Sequence, residues 1–229
     1  MFYDFHIRDN RELVLEAERL GYNGVAVYKK GENSNNNFNK ELISPDVSES
    51  SFKILYGLII YSRNLMDLKR KIQKFRREAD ILMVHGGDLK INRAACENHR
   101  VDILSNPYSG RRDCGINHIS ARKAAENNVA IELNLKYLLK TKPKLRYKVL
   151  GYYRELLKLF RKYNFPLIIT SDAHSNFDMH TPHDIIALTN CFGMDEDEAI
   201  TALSETPLSI IERNYPKNKL IIEGARIVY

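Results

Sequence analysis

Six imidazole and carboxylate side chains stand at or just beyond short apolar runs of the chain. They are His6, His85, His118, Glu132, Asp172 and His174. Short apolar runs are typical of buried strands, and in a parallel α/β fold the carboxyl ends of the strands converge on one mouth. Imidazole and carboxylate groups are the ligands of metal ions in many hydrolases. The pattern therefore indicates the frame of a metal-dependent site.

The first of these runs departs from that frame at one position. Asp4 and His6 are two residues apart, and the next position of the series holds Arg8, where a second imidazole would complete a D-x-H-x-H ligand strand. A guanidinium group stays charged, cannot coordinate a metal ion and repels a cation. We therefore expect a hydrolase-like frame whose mouth binds anions.

A second pair of candidate ligands lies near the end of the last strong apolar run. Asp172 and His174 are also two residues apart, so their side chains can point to one side of a strand end and share a metal ion. The alternative is that Asp172 fixes the tautomer of a histidine or caps the next helix. The sequence leaves both interpretations open.

Composition and charge narrow the class of protein. The chain has 229 residues, of which 44% are hydrophobic and 28% charged, and we assign residues 1–229 to one globular domain. The net charge of +6 favours acidic partners such as nucleic acid, although many enzymes are mildly basic.

Three widely spaced cysteines, Cys96, Cys114 and Cys191, predict free thiols that are at least partly buried. There is no signal peptide pattern, and the apolar runs are far shorter than the roughly 20 residues of a membrane helix, so we expect a soluble, cytoplasmic protein without membrane contact.

Strand-like and helical patterns alternate along the whole chain. The predicted strands are 2–7, 24–28, 52–61, 81–84, 101–104, 129–133 and 166–170. Predicted helices follow at 64–77, 89–98, 117–127, 144–163, 184–191 and 196–203, with a further helix capped by Asp9 or Asn10, and residues 30–37 form an Asn-rich loop. Seven strands with intervening helices favour a closed, TIM-like (β/α) barrel. An open doubly wound sheet is the alternative, because periodicity does not report closure.

Basic residues form a second group of candidates. Segments 63–77 and 136–162 are rich in Lys and Arg and poor in acidic residues. Such clusters can neutralise phosphates, which makes binding depend on salt, although any one lysine can equally lie on a solvated helix face.

Arg111 and Arg112 stand apart because they lie in a glycine-flanked loop at the predicted mouth, near Tyr108. Guanidinium groups bind phosphates through two hydrogen bonds, and tyrosine can stack on an unpaired base. The alternative is that one of these arginines pairs with Asp113 or Asp102.

Four segments together resemble the motifs of the polymerase and histidinol phosphatase superfamily of metal-dependent phosphoesterases. They are Asp4-Phe5-His6, Gly115-Ile116-Asn117-His118, Ile131-Glu132-Leu133-Asn134 and Ser171-Asp172-Ala173-His174. Within that superfamily, a central block resembles the ribonuclease P protein component 3 family. The block comprises Val84-His85-Gly86-Gly87-Asp88, Val101-Asp102-Ile103-Leu104-Ser105-Asn106-Pro107 and Arg111-Arg112-Asp113-Cys114-Gly115-Ile116-Asn117-His118. The resemblance covers nearly the whole chain.

The resemblance implies a protein subunit of ribonuclease P, in which the catalytic RNA removes the 5′ leader of precursor tRNA and the protein binds and stabilises that RNA. It also implies other protein subunits as partners, among them a small subunit that pairs with this chain. Mg²⁺ is expected for the RNA-based holoenzyme, with no cofactor bound tightly and no catalytic residue in this chain. The expected RNA-binding residues are Arg8, Lys29, Lys30, Lys90, Arg93, Arg111, Arg112 and Arg122.

The chain also departs from the active members of that superfamily, which bind several metal ions through many ligands. Besides Arg8, the segment Gly57-Leu58-Ile59 offers aliphatic residues where such a member would place a bridging glutamate. The remaining ligand candidates are therefore expected to be vestigial. They are Asp4, His6, His118, Glu132, Asp172 and His174. An active metal-dependent phosphoesterase and a general RNA-binding protein outside ribonuclease P are the alternatives.

Overall fold

Seven parallel strands form the centre of the molecule in a computed structural model. The structure describes residues 1–30 and 52–215, together with the backbone of 220–222 and 225–226. The Asn-rich loop predicted at 30–37 lies outside the described residues from Gly31 onward. The strands are β1 (Tyr3–Arg8), β2 (Gly24–Lys30), β3 (Lys53–Ile60), β4 (Ile81–His85), β5 (Ile103–Ser105), β6 (Ala130–Asn134) and β7 (Leu167–Thr170).

The sheet curves into a nearly closed barrel. Neighbouring strands pair in sequence order from β1 to β7. The two ends of the sheet meet beyond β7, where the backbone N–H of Arg8 donates to the carbonyl of Ala173 at 2.9 Å and Ile7 forms a parallel bridge with Ala173. The predicted (β/α) barrel of seven strands is confirmed, and the open sheet is wrong.

Helices surround the barrel and connect successive strands. They are α1 (Arg11–Arg19), α2 (Leu65–Phe75), α3 (Leu89–Cys96), α4 (His118–Asn127), α5 (Leu135–Leu139), α6 (Arg146–Tyr163), α7 (Pro182–Thr189), α8 (Glu196–Leu203) and α9 (Glu205–Asn214). The side chain of Asn10 caps α1 by accepting from the backbone N–H of Glu12, as predicted. Helices α5 and α9 were not predicted, and residues 220–226 add a two-stranded antiparallel pair, β8 (Leu220–Ile222) with β9 (Ala225–Arg226).

Apolar residues fill two cores, one on each side of the sheet. The barrel interior is packed with Tyr3, Phe5, Ala26, Ile59, Ile81, Met83, Ile103, Ala130 and Ile168, joined by Ile210 of α9. A larger core lies between the outer face of the barrel and the helices. Each fully buried large side chain stabilises the fold by about 1.5–3 kcal/mol. The barrel interior below the mouth is therefore filled by apolar side chains.

A buried carboxylate stabilises the opposite end of the barrel, where the strands begin. Asp102 is fully buried and accepts hydrogen bonds from the backbone N–H of Leu82 at 2.8 Å, from the guanidinium of Arg76, and from Arg213 of α9 at 3.0 Å. Arg76 belongs to the basic segment 63–77, and the ion pair with Asp102 uses its charge inside the fold. The suggested pairing of Asp102 with Arg111 or Arg112 is also wrong.

The cysteines carry free thiols, as expected, but their burial differs. Cys96 and Cys114 are buried, and burial raises the pKa of the Cys96 thiol to about 12 and that of Cys114 to about 11. Cys191 is exposed, which the prediction did not anticipate. Among the described residues, none of the helices combines the length and apolar character needed to cross a bilayer.

Candidate nucleic-acid interface at the barrel mouth

An irregularity in β1 brings His6 into the barrel. Strict alternation from Tyr3 and Phe5, which face the interior, would place Ile7 there as well. The pairing of β1 with β2 shifts register between Asp4 and Ile7, and Ile7 packs into the outer core instead. His6 is consequently 3% exposed, and its ring reaches Glu132 on β6.

Glu132 is the centre of a buried hydrogen-bond network. Its Oε1 contacts His6 Nδ1 at 2.5 Å and accepts from Thr170 Oγ1 at 2.7 Å. Its Oε2 accepts from Ser105 Oγ at 2.6 Å and from the backbone N–H of Asn106 at 3.1 Å. The carboxylate thus joins β1, β5, β6 and β7 at the base of the mouth. Thr170 and Ser105 were missed by the sequence reasoning, although each is a small hydroxyl residue at the end of a strand.

The electrostatics of this network favour an ion pair. Burial disfavours ionisation of Glu132, but the positive His6 ring and the donated hydrogen bonds outweigh burial and lower the pKa of Glu132 to about 2. Burial likewise disfavours the charged form of His6, and the charge of Glu132 outweighs it, so the His6 pKa is raised. The two groups therefore stabilise each other as a charged pair inside the protein.

Asp172 contacts a second set of side chains next to this network. Its carboxylate accepts from Asn134 Nδ2 at 3.0 Å and from the Tyr28 hydroxyl at 3.3 Å. His174 Nε2 lies 3.2 Å and Lys136 Nζ 3.5 Å from the same carboxylate. Asp172 and His174 therefore meet, as their spacing predicted, and the lysine and tyrosine beside them were not predicted. Burial and then the charge of Lys136 lower the pKa of His174.

Asp4 is buried beside this cluster and serves the backbone. Its Oδ1 accepts from the N–H of His6 and from the N–H of Ser171, each at 3.2 Å. Burial is the largest influence on its carboxyl group and raises the pKa to about 6, against the effect of those hydrogen bonds. Asp4 therefore fixes the chain where β1 meets the end of β7.

Two of the candidate histidines lie apart from Glu132. His118 is exposed as the first residue of α4, and the hydrogen bonds of the described residues do not link it to the mouth. His85 ends β4 and stacks on Tyr61, with ring centroids 4.7 Å apart. Burial lowers the pKa of His85. The sequence reasoning was right to place His85 at the mouth, but the structure does not bring His118 to the cluster.

The donor set does not fit the multinuclear metal centre of active superfamily members. Glu132 already accepts four hydrogen bonds, and His6 uses Nδ1 to contact it. The segment Gly57-Leu58-Ile59, which the resemblance matches to the position of a bridging glutamate, contributes only buried aliphatic side chains, Leu58 and Ile59. Within residues 1–30 and 52–215, no three His, Cys, Asp or Glu side chains come together in an arrangement that could hold a metal ion.

The eight predicted RNA-binding residues fall into two groups. In one group an acidic neighbour already pairs with the basic side chain: Lys29 with Asp9 at 3.0 Å, Arg93 with Glu97 at 2.8 Å, and Arg111 with Asp113 at 2.6 Å. The structure therefore shows the alternative given for Arg111, an ion pair with Asp113.

The other group makes no ion pair within the described part of the chain. It consists of Arg8, Lys30, Lys90, Arg112 and Arg122, all exposed. Lys30 lies over the ring of Tyr61 at 5.4 Å from its centroid. Tyr108, expected to stack on a base, is instead fully buried, and its hydroxyl accepts from the N–H of Asn134 at 3.0 Å. Tyr108 therefore positions the end of β6 and is not accessible to RNA.

Comparison with known proteins gives consistent matches over almost the full length. The family model described as RNase P subunit p30 matches residues 1–219. Two proteins named ribonuclease P protein component 3 match 99% of the chain: that of Methanothermobacter thermautotrophicus is 46% identical over 95% of its own length, and that of Methanococcoides burtonii is 38% identical over 93%.

Solved structures match the fold. A chain of a structure titled cryo-EM structure of archaeal ribonuclease P with mature tRNA superposes with a TM-score of 0.84 and 32% identity, covering 99% of this chain and 98% of that one. Histidinol phosphate phosphatase from Lactococcus lactis superposes with a TM-score of 0.52 and 14% identity, covering 93% of each chain. The second likeness concerns the fold alone.

Proposed function

The chain belongs to the RNase P subunit p30 family and is a protein subunit of ribonuclease P, and from this premise we propose that it binds RNA of that enzyme around the mouth of its barrel. In this proposal the chain has no catalytic group of its own. The RNA performs the cleavage that removes the 5′ leader of precursor tRNA, and the protein stabilises the fold of that RNA. The site of action is the cytoplasm.

One observation carries this proposal: exposed basic side chains stand at strand ends, Arg8 at the end of β1 and Lys30 at the end of β2, beside a mouth whose carboxylates Glu132 and Asp172 already have basic partners. Glu132 is neutralised by His6, and Asp172 has Lys136 and His174 beside it. These two carboxylates therefore do not neutralise the positive charge of Arg8, Arg112 and the other exposed basic residues of that group. An electropositive rim of this kind attracts phosphates, and each phosphate bound releases counterions.

The energetic contribution of such a rim is to reduce repulsion between packed RNA phosphates. RNA folding needs cations where its backbones approach each other, and fixed arginines supply part of that charge. The holoenzyme would therefore reach its folded, Mg²⁺-loaded state at a lower Mg²⁺ concentration when this subunit is bound. The structure titled archaeal ribonuclease P with mature tRNA supports a complex with RNA and further protein subunits. We propose that a small protein subunit pairs with this chain in that complex.

The test compares basic residues with and without an acidic partner in one assay. A variant with Arg8→Gln, Arg112→Gln and Arg122→Gln, the rim variant, removes charge that no described acid neutralises. The matched control with Lys29→Gln, Arg93→Gln and Arg111→Gln removes charge that is already shared with an acid. Affinity for ribonuclease P RNA is measured across a series of KCl concentrations.

We expect the slope of log K against log salt to fall by about 0.7–0.9 for each phosphate that the protein no longer binds, so by about 2 to 3 in the rim variant and by less in the control. A slope and an affinity equal to those of the wild type in the rim variant would remove the rim from the RNA interface.

A further inference from the structure

Residues 142–148, which connect α5 to the first turn of α6, form an exposed basic surface that we call the lysine patch. Every residue of the patch is exposed. Its basic residues are Lys142, Lys144, Arg146 and Lys148. The sequence has no acidic residue between Glu132 and Glu155, so positive charge is concentrated in this part of the chain. Helix α5 begins where β6 ends, and the patch therefore lies on the side of the barrel that carries the mouth.

The structure separates the lysines of this patch from other basic residues of segment 136–162. Three of those other residues lie next to carboxylates of the chain, at 3.5, 2.6 and 2.7 Å, and they are Lys136, Lys140 and Arg161. By contrast, Lys142, Lys144 and Lys148 make no ion pair with any residue that the structure describes. Their charges are therefore available to an anion from outside the chain.

Arg146 holds the lysine patch in one conformation. Its Nη2 donates to the carbonyl of Leu139 at 3.0 Å and its Nε to the carbonyl of Thr141 at 3.2 Å, so the guanidinium closes the turn between the two helices. The hydroxyl of Thr141 donates to the carbonyl of Tyr137 at 2.5 Å. Val149 is buried and anchors the first turn of α6 in the core. Because the backbone of the patch is already fixed, it loses little conformational entropy when a partner binds.

Tyr147 places an aromatic ring among these cations. The residue is 65% exposed, and its hydroxyl makes no hydrogen bond within the described part of the chain. Lys148 Nζ lies 5.9 Å from the centroid of the ring. Tyr147 follows Lys144 by three positions, a spacing that places two side chains on one face of a helix. Surfaces that bind unpaired nucleic acid combine these features, since bases stack on the aromatic ring while phosphates contact the cations.

Other anionic partners fit the lysine patch less well. The centre of a protein–protein interface is apolar and depleted of lysine, whereas this patch offers only Leu145 and Pro143 besides its ring and its cations. Double-stranded RNA would contact the lysines through its phosphates, but its bases are stacked on one another and leave no free face for Tyr147. The ring and the lysines together therefore favour RNA whose bases are unpaired.

We propose that the lysine patch binds a short unpaired stretch of RNA, with one base stacked on Tyr147 and the neighbouring phosphates against Lys142, Lys144 and Lys148. This inference rests on the proposed function, because the RNA belongs to ribonuclease P, and it adds a second contact outside the mouth. The stretch belongs either to the ribonuclease P RNA or to precursor tRNA, which offer the same chemistry. Arg146 is a positioning residue, since backbone carbonyls engage its guanidinium.

The test measures the affinity of the full chain for ribonuclease P RNA and, in a separate arm, for precursor tRNA, each across a series of KCl concentrations. The patch variant carries Lys142→Gln, Lys144→Gln and Lys148→Gln. The matched control carries Lys53→Gln, Lys158→Gln and Lys162→Gln, which removes three exposed charges from the first residue of β3 and from the part of α6 that leads to β7.

A second set of variants tests the ring. Tyr147→Leu removes it and Tyr147→Phe retains it. Tyr215→Leu is the control, because Tyr215 is exposed to the same degree, 64%, beyond the end of α9.

We expect the slope of log K against log salt to fall by about 2 in the patch variant, at about 0.7 for each phosphate of a single strand, and to keep its wild-type value in the matched control. Tyr147→Leu should weaken binding about fivefold, as the loss of one stacked base predicts. Tyr147→Phe and Tyr215→Leu should bind as tightly as the wild type. The RNA on which these effects appear contains the unpaired stretch.

A patch variant whose slope equals that of its matched control overturns the inference. If the rim variant still loses slope in that case, RNA binding at the mouth stands, whereas equal slopes in the wild type, the rim variant and the patch variant overturn both proposals. Tyr147→Leu that binds as tightly as Tyr147→Phe overturns the stacked base and with it the unpaired stretch. If the patch variant binds both RNAs as the wild type does but no longer retains a protein subunit in the reconstituted complex, the surface binds protein and the inference is wrong.

Discussion

Replacing Glu132 by glutamine tests whether the buried pair with His6 holds the barrel mouth together. The substitution preserves shape and removes the negative charge. In the wild type the pKa of Glu132 is about 2 instead of the ordinary 4.5, a difference that corresponds to about 3 kcal/mol in favour of the folded state at neutral pH. The variant has none of this stabilisation.

A further destabilisation follows from the hydrogen bonds. Both oxygens of Glu132 face donors, so one side of a glutamine amide must present N–H groups to other donors. His6 and Thr170 can adapt, because a neutral imidazole and a rotated hydroxyl can accept, whereas the N–H of Asn106 cannot. Allowing for this mismatch, we expect Glu132→Gln to lower the free energy of unfolding by about 3 to 5 kcal/mol, the range found when a buried ion pair is broken.

Urea unfolding at pH 7, followed by circular dichroism because the chain lacks tryptophan, measures this destabilisation as a shift in the midpoint. The control is Glu126→Gln, since Glu126 pairs with Lys123 on the surface at 2.6 Å and should contribute less than about 1 kcal/mol. The folded pKa of Glu132 is depressed, so the difference between Glu132→Gln and wild type should fade as the pH falls from 4.5 towards 2. A destabilisation below about 1 kcal/mol at pH 7 would refute a stabilising charge pair.

Three further predictions concern other parts of the molecule. Burial raises the Asp4 pKa from 3.8 to about 6, so the carboxyl group stabilises the folded state below pH 3.8, and this stabilisation is lost as the pH rises through 6. Asp4→Asn should therefore reduce the fall in the free energy of unfolding over that pH range by up to about 3 kcal/mol, as measured by unfolding at a series of pH values. Arg111→Ala combined with Arg112→Ala should slow cleavage of precursor tRNA most at low Mg²⁺, with partial rescue by excess Mg²⁺, and equal rates at every Mg²⁺ concentration would argue against an RNA contact there. Asp102→Ala should leave two arginines without their buried partner and lower the free energy of unfolding by about 3 to 5 kcal/mol, measured by urea unfolding; a change under about 1 kcal/mol would contradict the role assigned to this carboxylate.

Local sequence was sufficient for the seven strands of the barrel, for seven of the nine α-helices described and for the general position of the mouth. The helix Glu196–Leu203 lies at the predicted residues, because the side chains of Asp195 and Glu198 cap its first turn without help from distant parts of the chain. Helix α5 escaped prediction because five residues directly after β6 carry too short a pattern to distinguish a helix from a loop. The family resemblance, carried by the central block of segments between Val84 and His118, is confirmed by the comparisons.

Alternation, periodicity and caps are properties of neighbouring residues, and they were enough to predict seven strands, most of the helices, and the acids and histidines at the strand ends. Contacts between distant parts of the chain set which of those groups meet. His6 faces Glu132 because β1 shifts register before Ile7, and Asp102 takes arginines that lie 26 and 111 residues away. Tyr108 is buried although its loop lies at the mouth. Strand register and the packing of one element on another set these contacts, and both depend on residues far apart in the chain.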